Sequence, residues 1–467
     1  MYNYSGRISE NNYNNVIADS LFMSKTNTAR QKTVCETDNA ADKVKTANSC
    51  YNASFTANTI RTRLNSGDEQ QKYKTILNNT DKQTRKNLEA MLKSGMLLNS
   101  DSENNSTVLD NLYNILTTPR ANGLDAKSLV RDLVMILSNP YVITQQFGDI
   151  PNERRQEVLA QYKHSLKPSQ PPMSVDVDHS GTCVAASIEF SLAQEMPAEF
   201  SRIAAGLTSP QISAQKTIHF DMLADNTLDA VWLLNAFDIP YKADNFNEAK
   251  ITLKPDSNAL IRAQIQTNYK DPWERSPIDV LMQSTFMQVG SQQSYNSLSD
   301  RRAGKFNQND RGLIEFEKTF VESVVKDKNK ISMTYQILDE NARLIGYEND
   351  MDTVKRHLTQ SIDNGENVIL GYTQTDKNNV VINGHEITVV GYKRNPKTQK
   401  LIFICNDTDD GKSVPVEYSE DYLIPKIHHA ALSKHIVEKE VKNVPLWKES
   451  LDAFNKMRKE RIKNQAA

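Results

Sequence analysis

The sequence has four cysteines in 467 residues, at positions 35, 50, 183 and 405, and no two of them form a CxxC pair or a zinc-type spacing. A disulfide framework and a structural zinc site are therefore not expected, and pairing of Cys35 with Cys50 is the one bridge left open. No stretch approaches ~18 apolar residues, so no membrane-spanning helix is expected. The opening MYNYSGRISENNYNNVIADS lacks a basic n-region and an uninterrupted apolar stretch, which argues against a Sec-type signal peptide. The expected location is the cytoplasm, or outside the cell by a route without such a signal. An excess of one charge is missing too. Lys and Arg number 56 against 58 Asp and Glu, a net charge of -2, so neither nucleic acid nor an anionic membrane is an expected partner.

Hydrophobic residues are also sparse, at 38% against the ~45–50% of a typical globular chain. The dilution sits near the N-terminus. Residues 1–55 are rich in Asn, Ser, Thr and Lys and read as disordered, because such a composition buries too little surface to offset its ordering entropy. From 56 to 166 helical periodicity takes over, as in Thr84–Leu92 and Asp125–Leu137. Thr80 with Gln83 has capping-box spacing for the first helix, and Asp125 is the expected cap of the second. The run Lys167-Pro168-Ser169-Gln170-Pro171-Pro172 interrupts any helix and reads as a linker. The 56–166 region is then a small all-α domain, either a separate module or an inhibitory pro-segment.

Beyond the linker, polar Ser180-Gly181-Thr182-Cys183 leads into Val184–Ala193, whose small and apolar residues suit a buried helix with Cys183 at its N-terminus. Such a position lowers a thiol's pKa and offers a free N–H to an oxyanion. Further on, Val368–Tyr372, His385–Tyr392 and Leu401–Cys405 read as consecutive strands of one antiparallel sheet. A helix is expected around Leu228–Leu234, and another around Ile278–Met282 with Ser276 as cap and Pro277 at its first position. The segment 431–467, from Ser433 to Asn464, reads as an exposed Lys- and Glu-rich helix broken near Pro445.

Taken singly, Cys183 reads as a core thiol, His385 as a turn residue and Asn406-Asp407 as a strand-ending turn. In the order Cys, His, Asn or Asp they make a nucleophile, a base at the start of an apolar strand, and a group on the next strand that holds the imidazole in one tautomer. Asn406 is the first choice for that last role and Asp407 the alternative. Glu386 is expected to face the opposite side of the strand from His385. Asp176-Val177-Asp178-His179 reads as a solvated loop. His428-His429 reads as a surface pair, because no nearby Cys, Asp or Glu completes a ligand set. No metal and no cofactor are assigned.

These segments, Ser180–Cys183 entering a helix, Gly384-His385 opening a strand and Ile404–Asp407 ending the next, resemble the sites of the papain superfamily. Gly365–Tyr372 ahead of the His strand is similar to bacterial peptidases that process double-glycine leaders. The resemblance covers roughly 173–425, about half the chain. It implies an α+β papain-like fold, with a helical lobe around the Cys helix packed on an antiparallel sheet, over 173–430. The wide spacing from Cys183 to His385 then implies an insertion at about 240–340. The implied activity is a cysteine peptidase acting on protein or peptide, with Cys183, His385 and Asn406 catalytic. A transglutaminase or deamidase reaction on the same residues is an alternative. The family's Gln six positions before the nucleophile is replaced by Val177. That leaves the Cys183 N–H, with Thr182 or His179, as oxyanion donors, and it admits a catalytically silent peptide-binding module as a further alternative.

Overall fold

The computed structural model describes residues 44–47, 60–146, 181–219, 248–267, 275–291, 293–298, 300–302, 312–409 and 413–441. The Pro-rich run at 167–172, the helix expected at Leu228–Leu234, Cys35, Cys50, Val177 and His179 lie outside these residues.

The main helices are α1 (Gly67–Asn78), α2 (Lys82–Ser94), α3 (Val108–Thr117), α4 (Ala126–Ser138), α5 (Cys183–Glu195), α6 (Pro197–Leu207), α7 (Ala259–Thr267), α8 (Pro277–Gly290), α9 (Glu315–Lys326) and α10 (Met351–Asp363). Asp125 caps α4, and Ser276 with Pro277 opens α8, as expected. For α2 the cap is Asp81, not Thr80. The Asp81 carboxylate accepts the Thr84 N–H at 2.9 Å, while the Thr80 hydroxyl donates back to the Ile76 carbonyl at 3.0 Å and closes α1. A charged acceptor one position nearer outcompetes the hydroxyl.

Strands β1 (Val44–Thr46), β2 (Ala214–His219), β3 (Glu248–Leu253), β4 (Tyr295–Asn296), β5 (Arg301–Arg302), β6 (Lys330–Thr334), β7 (Gln336–Leu338), β8 (Leu344–Tyr347), β9 (Val368–Thr375), β10 (Val381–Arg394), β11 (Leu401–Asn406), β12 (Val416–Ser419) and β13 (Ile427–Ser433) complete the fold. It is mixed α+β. The main sheet is antiparallel in the order β12-β11-β10-β9-β13-β6, with β1 added to β10. The three runs read as consecutive strands are β9, β10 and β11.

Two hydrophobic cores flank the sheet. One joins Ile76, Leu112, Leu133, Ile188, Phe200, Leu281 and Val321 with Ile369, Val390 and Ile404 on one sheet face. The other joins Leu358 and Ile362 of α10 with Leu370, Ile387, Phe403 and Leu432 on the opposite face. The helices of 60–146 thus share one core with α5, α6 and α8 instead of forming a unit of their own. An apolar helix stripe shows that a face is buried, not what buries it. The stretch read as an insertion is equally internal, because nearly every residue of α8 is buried.

Within the segment read as disordered, β1 clips onto β10 where that long strand outruns β9, pairing Thr46 with Gly391. A Cβ at Gly391 would stand 2.5 Å from the Lys45 carbonyl oxygen, so this close approach requires glycine. At the other end, Ser433 closes β13, and the short helix Lys434–Val437 buries Ile436 and Val437 instead of lying exposed.

Candidate active site

Cys183 is the first residue of α5, as the sequence indicated, and is half-buried. Thr182 precedes it without a side-chain capping bond, which leaves the N–H groups of the first turn free of that partner. The loop before it is held from beneath. The Gly181 N–H donates to the Asp300 carboxylate, which also receives the Tyr295 hydroxyl at 2.6 Å. Asp300 is fully buried in a left-handed backbone conformation, φ 48°.

His385 lies on β10 directly across from Tyr372 of β9, and the two rings meet edge to face with centroids 5.8 Å apart. Its Nε2 sits 2.8 Å from Asp407 Oδ1, and the Cys183 side chain acts on the ring electrostatically. With Nε2 committed to Asp407, Nδ1 is the nitrogen left for sulfur. Burial opposes a charge on this imidazole, but Asp407, and then Cys183, raise its pKa well above the ordinary value. Asp407 is buried as well, and the His385 ring holds its carboxyl below the usual range against that burial. The Tyr418 hydroxyl donates to its other oxygen at 3.1 Å, and the Asp409 N–H donates to Oδ1 at 3.1 Å.

Asp407, not Asn406, therefore faces the imidazole. The reason is strand alternation. Thr388 pairs with Asn406 and Val389 with Cys405, so Asn406 shares a face with Thr388 and Glu386, whereas Asp407 shares one with Ile387 and His385. The Asn406 side chain is buried, and its Nδ2 has no hydrogen-bond partner among the described residues. Of the proposed oxyanion donors, Thr182 is fully buried and its hydroxyl donates instead to Gln283 Oε1 at 2.9 Å. Glu386 turns away from His385, as expected, but it is buried against Lys318, 3.2 Å away.

Sequence reasoning missed the bridge that joins the nucleophile loop to the Asp407 turn. Thr182 donates to Gln283, Gln283 Nε2 donates to the Thr144 carbonyl at 2.9 Å, and the Thr144 hydroxyl donates to the Thr408 carbonyl at 3.0 Å. Gln145 adds a backbone bond to the same carbonyl at 3.1 Å and accepts the Thr408 hydroxyl at 3.1 Å. The segment before the Pro-rich run is thus part of the site's scaffold. These are common polar residues in unremarkable contexts, and no local pattern marks them. Beneath the bridge, Glu189 accepts from Gln283 at 3.0 Å, and burial followed by the nearby Asp279 pushes its pKa well up, which favours the neutral acid.

Among the described residues no helix is long and apolar enough to cross a membrane. Comparison with family models, with curated proteins and with solved structures returns no match for this chain.

Proposed function

We propose that the chain is a papain-like cysteine peptidase in which Cys183 is the nucleophile, His385 the general acid–base and Asp407 the orienting carboxylate. The observation that carries this reading is the imidazole of His385 held by Asp407 at 2.8 Å, with the thiol at the start of α5 near enough to raise its pKa. A raised His385 pKa favours the protonated imidazole beside the sulfur, the form that hands a proton to the leaving amine.

The Cys183 thiolate attacks the carbonyl carbon of a peptide bond and gives a tetrahedral oxyanion, to which the Cys183 N–H donates. Collapse breaks the C–N bond while the imidazolium hands its proton to the departing amine, leaving a thioester. Neutral His385 then takes a proton from water as that water attacks the thioester, and collapse of the resulting tetrahedral oxyanion breaks the C–S bond, releasing the acid product and returning the Cys183 sulfur beside the protonated imidazole. Asp407 stabilises the imidazolium and fixes the tautomer throughout. Substrates are expected to be protein or peptide. Transglutamination or deamidation would use the same thioester, differing in the nucleophile that resolves it or in the amide attacked.

Alkylation of the full-length protein with iodoacetamide, mapped by mass spectrometry, tests the pair. Cys183 is expected to label far faster than Cys405, a buried strand residue whose thiol burial pushes up. The advantage should vanish in His385→Ala. Labelling of Cys183 no faster than a free thiol would instead favour a silent peptide-binding module.

A further inference from the structure

On the sheet face away from His385, two adjacent histidines and a carboxylate from a distant helix converge. Strand β13 runs between β6 and β9, and its pairing with β9 steps from Ile427–Tyr372 to His429–Gly371, so His428 is an extra residue in a β-bulge. A bulge re-aims side chains. Here both imidazoles turn toward Glu315 in the first turn of α9, with His428 Nε2 at 2.8 Å and His429 Nδ1 at 4.0 Å from Oε1. The three donor atoms lie within 4.8 Å of one another. Ligand bonds of ~2.0–2.2 Å in a tetrahedral arrangement place donors about 3.3 Å apart. The two separations given above bracket that spacing.

The surroundings fix these donors. The second oxygen of Glu315 accepts the Thr334 hydroxyl at 2.7 Å, which leaves Oε1 toward the histidines. His429 is nine-tenths buried, neither of its ring nitrogens has a hydrogen-bond partner of good geometry among the described residues, and Nε2 lies 2.9 Å from Glu386 Oε1. A carboxylate behind the distal nitrogen of a histidine is the arrangement that orients a metal ligand. Glu386 is in turn held by Lys318. Gly371 makes room for this, since a Cβ there would meet the His429 ring and stand 2.6 Å from Glu386 Oε1. Glu315 and His428 remain partly exposed, so an ion has a way in.

We propose that Glu315, His428 and His429 form a binding site for one divalent transition-metal ion of the zinc class, with a fourth position open to water, clamping α9 to β13. The site is independent of the thiol chemistry. Its test is Zn2+ titration by calorimetry of the full chain carrying Cys183→Ala, so that the nucleophile contributes no ligand, with thermal melts in parallel. The expected result is one saturable site, with a melting temperature raised by Zn2+. That site should weaken at least tenfold in Glu315→Gln and again in His428→Ala, each folded as judged by its metal-free melt, and persist in His385→Ala. Absence of saturable binding, or a site kept at full affinity in either Glu315→Gln or His428→Ala, overturns the proposal.

Discussion

His385 on β10 and His429 on β13 stand on either side of strand β9, each beside a buried carboxylate less than 3 Å away, and their charges are pushed in opposite directions. The His385 pKa is raised well above the ordinary value and that of His429 is lowered. Burial disfavours the imidazolium in both, so burial alone does not separate them. The difference lies in what else the carboxylate holds. Among the described residues Asp407 receives only neutral donors, the Tyr418 hydroxyl and the Asp409 N–H, apart from the imidazole. Glu386 already neutralises Lys318, and that ammonium also acts directly on the His429 ring. A histidine–carboxylate pair is an ion pair only when the carboxylate's charge is not already spoken for.

The strongest way to break the comparison is to remove the charged imidazole. His385→Ala should slow alkylation of Cys183 by about 10²-fold or more, the usual scale of a lost acid–base group, whereas His429→Ala should leave that rate near wild type. Next comes Asp407→Asn, which strips His385 of its counter-charge. Labelling should fall about tenfold, the worth of one pKa unit. The folded pKa of His385 is raised, so the pair's stabilisation is complete below about pH 6.5 and is lost as pH rises through the raised value. The folded pKa of Asp407 is lowered, so its share is present above about pH 3.9 and is lost as pH falls through the lowered value. Thermal melts of wild type and Asp407→Asn should therefore differ most between these limits and converge at high pH. A difference that grows toward alkaline pH would contradict the assignment.

Lys318→Met sharpens the comparison from the other side. It frees Glu386 for His429, so the His429 titration midpoint, followed by NMR of the ring Cε1–H, should move up, with His385 unmoved. The smallest effect belongs to Asn406→Ala. Its Nδ2 is buried without a partner, so removal deletes an unmet donor and should change labelling by less than about threefold. A large loss would return the orienting role to Asn406.

The strands carrying Cys405 and His385, and the helix opened by Cys183, were legible because period and punctuation are local properties. The choice between Asn406 and Asp407 was not, since the two differ only in which sheet face they occupy and that depends on a register between strands. The pairing of His428 and His429 with Glu315 was invisible for a related reason. Adjacent strand residues ordinarily point to opposite faces, and the bulge that brings these two together leaves no mark in composition. The sequence sets residues 56–166 apart, as a module or a pro-segment, because prolines punctuate the chain after them. A break in the chain says nothing about continuity of the core, and Thr144 and Gln145, ahead of that break, support the turn that holds Asp407.

Strand β13 carries one more consequence, for the order in which the molecule is assembled. It follows all the other described sheet strands in the chain, yet it takes a place between β9 and β6. While the polypeptide emerges from the ribosome, β6 waits without a neighbour and β9 with one edge bare, both presenting backbone groups able to recruit another chain. The last of the described strands to be synthesised is the one that zips the sheet shut. Truncation anywhere in 427–433 should therefore yield aggregated protein instead of a shortened fold, and the yield of native molecules should depend on chaperone capacity during that wait.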